Sequence, residues 1–208
     1  MLWIGFALVT EGTSDDGFLS AVLRRSAQEV AGPGSEVAEP IVVRTSTGPG
    51  GREALVRAIR QADGMFNAVV YHRDGGVHPE REIERWVVPF CERLGAAGCP
   101  EPVVAVMPVR ETEAWALADG DALRTVLGAT WSDQRWGLPA RRRDLEGEPD
   151  PKQLLRRVVE RFTAWDPDVL TRLGACVSLE CLRELSAFRR WENDLHEALK
   201  SVPGFTTR

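Results

Sequence analysis

The sequence predicts an α/β fold: a three-layer domain on a mainly parallel four-stranded sheet, followed by a helical C-terminal extension. Three observations predict it. Continuously apolar runs recur in the first half, at Leu2 to Val9, Ile41 to Val43, Ala68 to Tyr71 and Val103 to Met107. Strands of that kind are covered on both faces, the habit of parallel sheets. Stretches of helical spacing separate the runs, and beyond Glu111 only helical spacing remains.

Each element follows in order. The first strand leads into a helix whose stripe is Phe18, Leu19, Val22 and Leu23. The second strand precedes a shorter stripe, Leu55 and Ile59, and the third precedes the longest, Ile83, Trp86, Val87, Phe90 and Leu94. The order β-α-β-α-β-α-β implies right-handed crossovers. In the second half, Leu154, Leu155, Val158, Val159 and Phe162 mark one amphipathic helix, and Leu185, Phe188, Leu195 and Leu199 another. Residues 1–119 form the expected α/β domain and 120–208 the helical extension packed on it. Gly128 to Pro151, rich in Gly, Pro, Arg and acids, reads as a long exposed loop, and Gly204 to Arg208 as a frayed tail.

Composition narrows the function. The chain has 208 residues, within the range of one domain. Lys plus Arg number 26 and Asp plus Glu 31, a net charge of −5, which excludes a strongly basic nucleic-acid coat but not a local basic groove. No apolar stretch is long enough for a membrane helix, and the apolar start lacks the positive flank of a signal peptide. Cys91, Cys99, Cys176 and Cys181 show no zinc-knuckle spacing. They are expected as reduced thiols in a cytoplasmic protein.

Sites in parallel α/β sheets form beyond the carboxyl ends of the strands. Here those ends carry acids. Glu11-Gly12-Thr13-Ser14-Asp15-Asp16 follows the first strand, His72-Arg73-Asp74-Gly75-Gly76 the third, and Glu111-Thr112-Glu113 the fourth. Carboxylates gathered together repel, and a hard cation such as Mg²⁺ relieves them. Thr13 and Asp16 also fit a capping box, in which Asp15 and Asp16 serve only the helix dipole. Glu111 and Glu113, two apart, point in different directions, and Glu113 is the one expected at the site. Asp119 is expected as the N-cap of the next helix. His72 reads as a metal neighbour, a phosphate contact or a packed, hydrogen-bonded histidine.

Basic residues supply the rest. Thr45 to Arg52 opens a helix with a glycine-rich turn that lacks the P-loop pattern, so a flexible turn is the better reading and Arg52 adds charge beside the site. Arg141, Arg142 and Arg143, with Lys152, Arg156, Arg157 and Arg161, form the one basic concentration, suited either to a nucleic-acid backbone or to pairing with neighbouring acids. Trp86 reads as core. Trp131 and Trp136 lie where bases can stack.

These residues resemble a family. Glu11-Gly12-Thr13-Ser14-Asp15 after a first strand is similar to the opening motif of Toprim domains, the catalytic module of topoisomerases, primases and overcoming-lysogenization-defect nucleases. Asp74 resembles their second acidic motif. Glu111 to Asp119, Asp150-Pro151-Lys152 and the Phe188 to Leu195 segment resemble a narrower Toprim-like bacterial family, often encoded beside ABC-type ATPases in phage-defence loci. The resemblance implies Mg²⁺- or Mn²⁺-dependent cleavage of DNA or RNA, with Glu11 in acid–base work. It implies metal ligation by Asp74, with Glu11, Glu113 and Asp15 beside it, and phosphate contacts from Arg52 or Lys152. It also implies an ATPase partner. The family's second motif is Asp-x-Asp, whereas Gly76 or His72 stands at the partner position here. A catalytically degenerate adaptor is therefore the alternative expectation, unless Glu113 or Asp15 substitutes.

Overall fold

The computed structural model describes residues 1–44, 51–166 and 168–205. The first apolar run forms two strands, β1 (Leu2–Ile4) and β2 (Phe6–Thr10), rather than the single one expected. The break falls at Gly5, whose N–H donates to Asn67 Oδ1 at 2.8 Å and whose carbonyl accepts from the Asn67 N–H at 2.8 Å. An added Cβ there would lie 2.7 Å from the Met65 carbonyl oxygen, so the close approach requires glycine. Helix α1 (Thr13–Ala31) leads to β3 (Ser35–Val37), which pairs in parallel with β1. This strand carries no apolar run in the sequence.

The main sheet adds β4 (Ile41–Arg44), β5 (Ala68–His72) and β6 (Val103–Val106) in the order β4-β2-β5-β6, all parallel. Helix α2 (Gly51–Gln61) joins β4 to β5. From β5 the chain runs through α3 (Pro79–Glu82), a π-helical turn (Ile83–Val87) and α4 (Val88–Ala96) to β6. Phe6, Leu8, Val70 and Val104 turn to the α1 side, and Ala7, Val9, Val69 and Tyr71 to the side of α2 and α4. This is the period-two alternation of a sheet buried on both faces. The β2–α1 connection thus leaves on one face and the β5–α4 connection on the other. The crevice between the carboxyl ends of β2 and β5 is the topological switch point where such folds bind ligands.

The second half is helical, as expected: α5 (Glu113–Ala116), α6 (Gly120–Leu127), α7 (Asp133–Trp136), a 3₁₀ turn (Arg142–Gly147), α8 (Pro151–Val159), α9 (Asp168–Cys176), α10 (Leu179–Arg183) and α11 (Ser186–Leu199). These helices complete the cover of the sheet. Helix α9 lies along α1, α11 packs against β6, and Leu170, Leu173, Phe188 and Leu195 share one apolar core with Phe6, Leu8 and Val22. The two helices meet closely: an added Cβ on Gly17 would run into Thr171 Oγ1, and one on Gly174 would stand 2.6 Å from the Phe18 carbonyl oxygen.

Gly128 to Pro151 is not the exposed loop expected. It contains α7 and the 3₁₀ turn, and Trp136 and Leu145 are buried in the core. Phe205 in the expected frayed tail also packs on that core, while residues 206–208 lie outside the described residues. The four thiols are free. No helix among the described residues is long and apolar enough to cross a membrane.

Candidate functional site

Three acids from three segments meet at the carboxyl edge of the sheet. Asp15 sits in the first turn of α1, Asp74 just after β5 and Glu113 at the start of α5. Burial, and then the charges of Asp74 and Glu113, push Asp15 from an ordinary value of 3.8 up to about 7. Burial, and then the charge of Glu113, push Asp74 up to about 6, although 42% of its side chain stays open to solvent and water moderates the effect. Burial raises Glu113 as well, against the opposing charge of Lys152.

Glu113 is held there by packing. Trp115, two residues on, is fully buried with its ring 5.1 Å from Phe188 and 5.8 Å from Trp191. That anchor fixes α5 and buries Glu113 to 2% exposure. Lys152 Nζ stands 3.5 Å from Glu113 Oε1, close enough to pair as charges, yet Oε1 makes no hydrogen bond. Glu111 is bound differently, accepting the Lys152 backbone N–H at 3.1 Å, although its charge still reaches Asp74 and Glu113. The spacing of two therefore separates the pair as expected, with Glu113 facing the acids.

Thr112, unremarked in the sequence, links the strands. Its N–H donates to Asp74 Oδ1 at 3.1 Å, and its hydroxyl lies 2.9 Å from His72 Nε2. His72 is 1% exposed, and burial with the neighbouring Arg73 charge lowers it to about 3. Of its three readings, the packed, hydrogen-bonded neutral histidine is the one the structure holds. Gly76, at the other partner position of the acidic motif, has φ 55° and bridges to Arg110, whose own φ is 66°. Neither position presents a carboxylate beside Asp74.

Glu11 leaves β2 at the same edge but does not join the acid group. It pairs with Arg73 at 2.7 Å. Arg73 in turn lies over the Trp86 ring at 4.0 Å, with Arg52 on the same indole at 4.8 Å and Arg85 at 5.1 Å. Trp86 packs on the second core cluster as expected, but it is only half-buried and its ring also serves as a platform for guanidinium groups. From the sequence Arg73 takes no role; a cation between His72 and Asp74 is the available signal.

Other expectations fall away from the site. The capping box is absent: Gly12 caps α1 without a side-chain bond, and Asp16 instead accepts from Thr10 Oγ1 at 2.6 Å and pairs with Arg44 at 2.9 Å. Asp119 caps α6 as expected, and also accepts the Ser178 N–H at 2.9 Å. Arg141 pairs with Asp144 at 2.9 Å, and Arg142 bonds the Ala118 carbonyl at 2.8 Å and Glu184 at 2.6 Å. These two arginines neutralise nearby acids rather than meet the cluster, and Arg143 opens with them onto a separate cleft beside Arg189. Residues 45–50 of the glycine-rich turn lie outside the described residues; Gly51 and Arg52 begin α2.

Among the described residues, no group of three His, Cys, Asp or Glu stands in metal-holding geometry. The donor set is nonetheless all carboxylate, and the buried Glu113 Oε1 lacks a hydrogen bond. Both features suit a hard cation that prefers oxygen. No protein-family model matches the chain, and no curated protein or solved structure matches it.

Proposed function

We propose that the chain is a divalent-cation-dependent endonuclease of Toprim type that hydrolyses phosphodiester bonds in DNA or RNA. The observation that carries the reading is the convergence of Asp15, Asp74 and Glu113 at the switch point, with two of the three held near neutral pH. Groups so perturbed mark functional sites more often than structural ones. The Toprim resemblance of the Glu11, Asp74 and Glu111 to Asp119 segments supports the same reading.

Asp15, Asp74 and Glu113 would hold Mg²⁺ or Mn²⁺. Such an ion, when bound, polarises a phosphate oxygen and lowers the pKa of a coordinated water. Lys152 offsets part of the acid charge and would present its ammonium to a phosphate oxygen. Arg73 and Arg52 present guanidinium groups on the Glu11 side, where two-pronged donors suit phosphate oxygens. As Arg73 turns to phosphate, Glu11 is released to take or give a proton at its carboxylate. The same resemblance supports an ABC-type ATPase partner in a bacterial anti-phage system, and the four unbridged thiols support a cytoplasmic setting.

The Glu11–Arg73 pair favours a second reading, a non-cleaving adaptor of an ATPase complex, because it occupies the group that would move the proton. One experiment separates the two. Melting temperature is measured with and without millimolar Mn²⁺ for wild type and Asp74→Asn, followed by cleavage of DNA and transfer RNA by wild type, Glu11→Gln and Asp74→Asn. The endonuclease reading expects a Mn²⁺-dependent rise that Asp74→Asn loses, and cleavage that both substitutions abolish. A wild type that neither responds to Mn²⁺ nor cleaves either substrate leaves the adaptor.

A further inference from the structure

A second cationic feature lies outside the acid cluster. A cleft of about 500 Å³ opens between α7 and α8, lined by Trp131, Arg135, Trp136, Arg157 and Arg161, with Glu148 as its one carboxylate. Arg157 and Arg161 are four apart, on one face of α8 and the turn that follows it. Both are exposed, as is Arg135, and none of the three has an ion pair among the described residues. In a chain of net charge −5, three unpaired guanidinium groups around one cleft are a local reversal of sign.

The aromatic part is built into the core. Trp136 is 6% exposed, and its Nε1–H is buried without a partner. Trp131 stands edge-on to Phe162 at 5.1 Å, and the Arg135 guanidinium lies 3.8 Å above its ring. An unpaired base stacks on just such aromatic or guanidinium planes. The arginines, free of carboxylates, match phosphate oxygens. A duplex keeps its base faces stacked inside, out of reach of these planes. Helix α8 carries Lys152 to the acid cluster at its first turn and Arg157 to this cleft near its last. The helix rises 1.5 Å per residue, so the two lie about 8 Å apart along its axis.

We infer that the α7–α8 cleft binds single-stranded nucleic acid, its arginines taking the backbone and its Trp131–Arg135 stack taking a base. The site rests on the phosphodiesterase reading for its purpose, but not for its binding.

The test uses the full chain carrying Asp74→Asn, in EDTA, so that neither cation nor cleavage enters. Fluorescence anisotropy follows binding of a labelled single strand of about 12 nucleotides, as DNA and as RNA, with a duplex of equal length beside it. Tighter binding of at least one single strand than of the duplex is expected. Adding Arg157→Gln and Arg161→Gln should weaken it about tenfold or more and flatten the salt dependence by about 1.4 in log–log slope, the share of two phosphate contacts. The melting temperature should not change, because neither side chain is buried or paired. Single-strand affinity unchanged by the double substitution, or a duplex bound as tightly as both single strands, overturns the inference. The Mn²⁺ response of wild type is unaffected by either outcome, so failure of this cleft and failure of the cation site are distinguishable.

Discussion

Thr112 donates its backbone N–H to Asp74 Oδ1 at 3.1 Å, so the chain after β6 orients an acid that leaves β5. The same residue satisfies buried His72 through its hydroxyl, at 2.9 Å. One small side chain thus joins the ends of two strands and orders the acids between them. Thr112→Val removes the hydroxyl and leaves both ring nitrogens of His72 unbonded, since Nδ1 already lacks a partner. A loss of about 1–3 kcal/mol is expected by urea denaturation. Thr112→Ser, which keeps the hydroxyl, should stay within about 1 kcal/mol of wild type; an equal loss in both variants would assign the effect to packing instead.

Asp15 sets a pH dependence of known sign. Its folded value of about 7 lies above the ordinary 3.8, so between these the folded state binds the extra proton and stability falls as pH rises. Asp15→Asn should therefore match wild type near pH 4 and exceed it at pH 8. At about 1.4 kcal/mol for each pH unit crossed, the gain is at most roughly 4 kcal/mol. Thermal melts at the two pH values check it, and a difference that does not grow with pH would remove Asp15 from the repelling group.

His72 acts in the opposite direction. Its folded value of about 3 lies below the ordinary 6.5, so below that the unfolded chain takes up a proton that the folded chain refuses. Stability falls as pH drops through this window. His72→Gln should flatten the fall between pH 6.5 and 4 whatever it costs at neutral pH, and denaturant midpoints across that range read it directly.

The Glu11–Arg73 pair is partly open, at 30% and 20% exposure. A double-mutant cycle with Glu11→Gln and Arg73→Gln should give a coupling of about 0.5–1 kcal/mol. A coupling near zero would mean that Arg73 is held by the Trp86 ring alone, and that Glu11 is already free for proton transfer.

The interface of α1 with α9 yields a prediction about packing. Gly174→Ala drives a Cβ to 2.6 Å from the Phe18 carbonyl oxygen, a backbone atom that cannot turn aside. A loss of about 1–3 kcal/mol is expected. Gly95→Ala meets open space in α4 and should be neutral or gain up to about 1 kcal/mol. Equal effects in denaturant melts would mean that the helices part without cost.

The strands and their terminal acids were legible because each depends on a local pattern: apolar runs such as Ala68 to Tyr71, and carboxylates directly after them. Asp119 was legible as a cap for the same reason. What joins the pieces was not. Thr112 earns its place through contacts with His72 and Asp74, about forty positions earlier, and Arg73 through an indole reached over a helix. Gly128 to Pro151 misled because Trp131, Trp136 and Leu145 follow no helical period, yet all three pack on the core. Short strand β3 has only Ser-Glu-Val to announce it.

The shared core has a consequence in time. The face of the sheet that carries Phe6, Leu8 and Val70 takes its cover partly from α9 and α11, and α11 ends at Leu199. On the ribosome, every strand of the sheet emerges before that cover exists. The nascent α/β half waits with that side covered only in part, by α1, and the carboxylates at its edge reach their final spacing only once α11, which packs against the Trp115 anchor, has emerged.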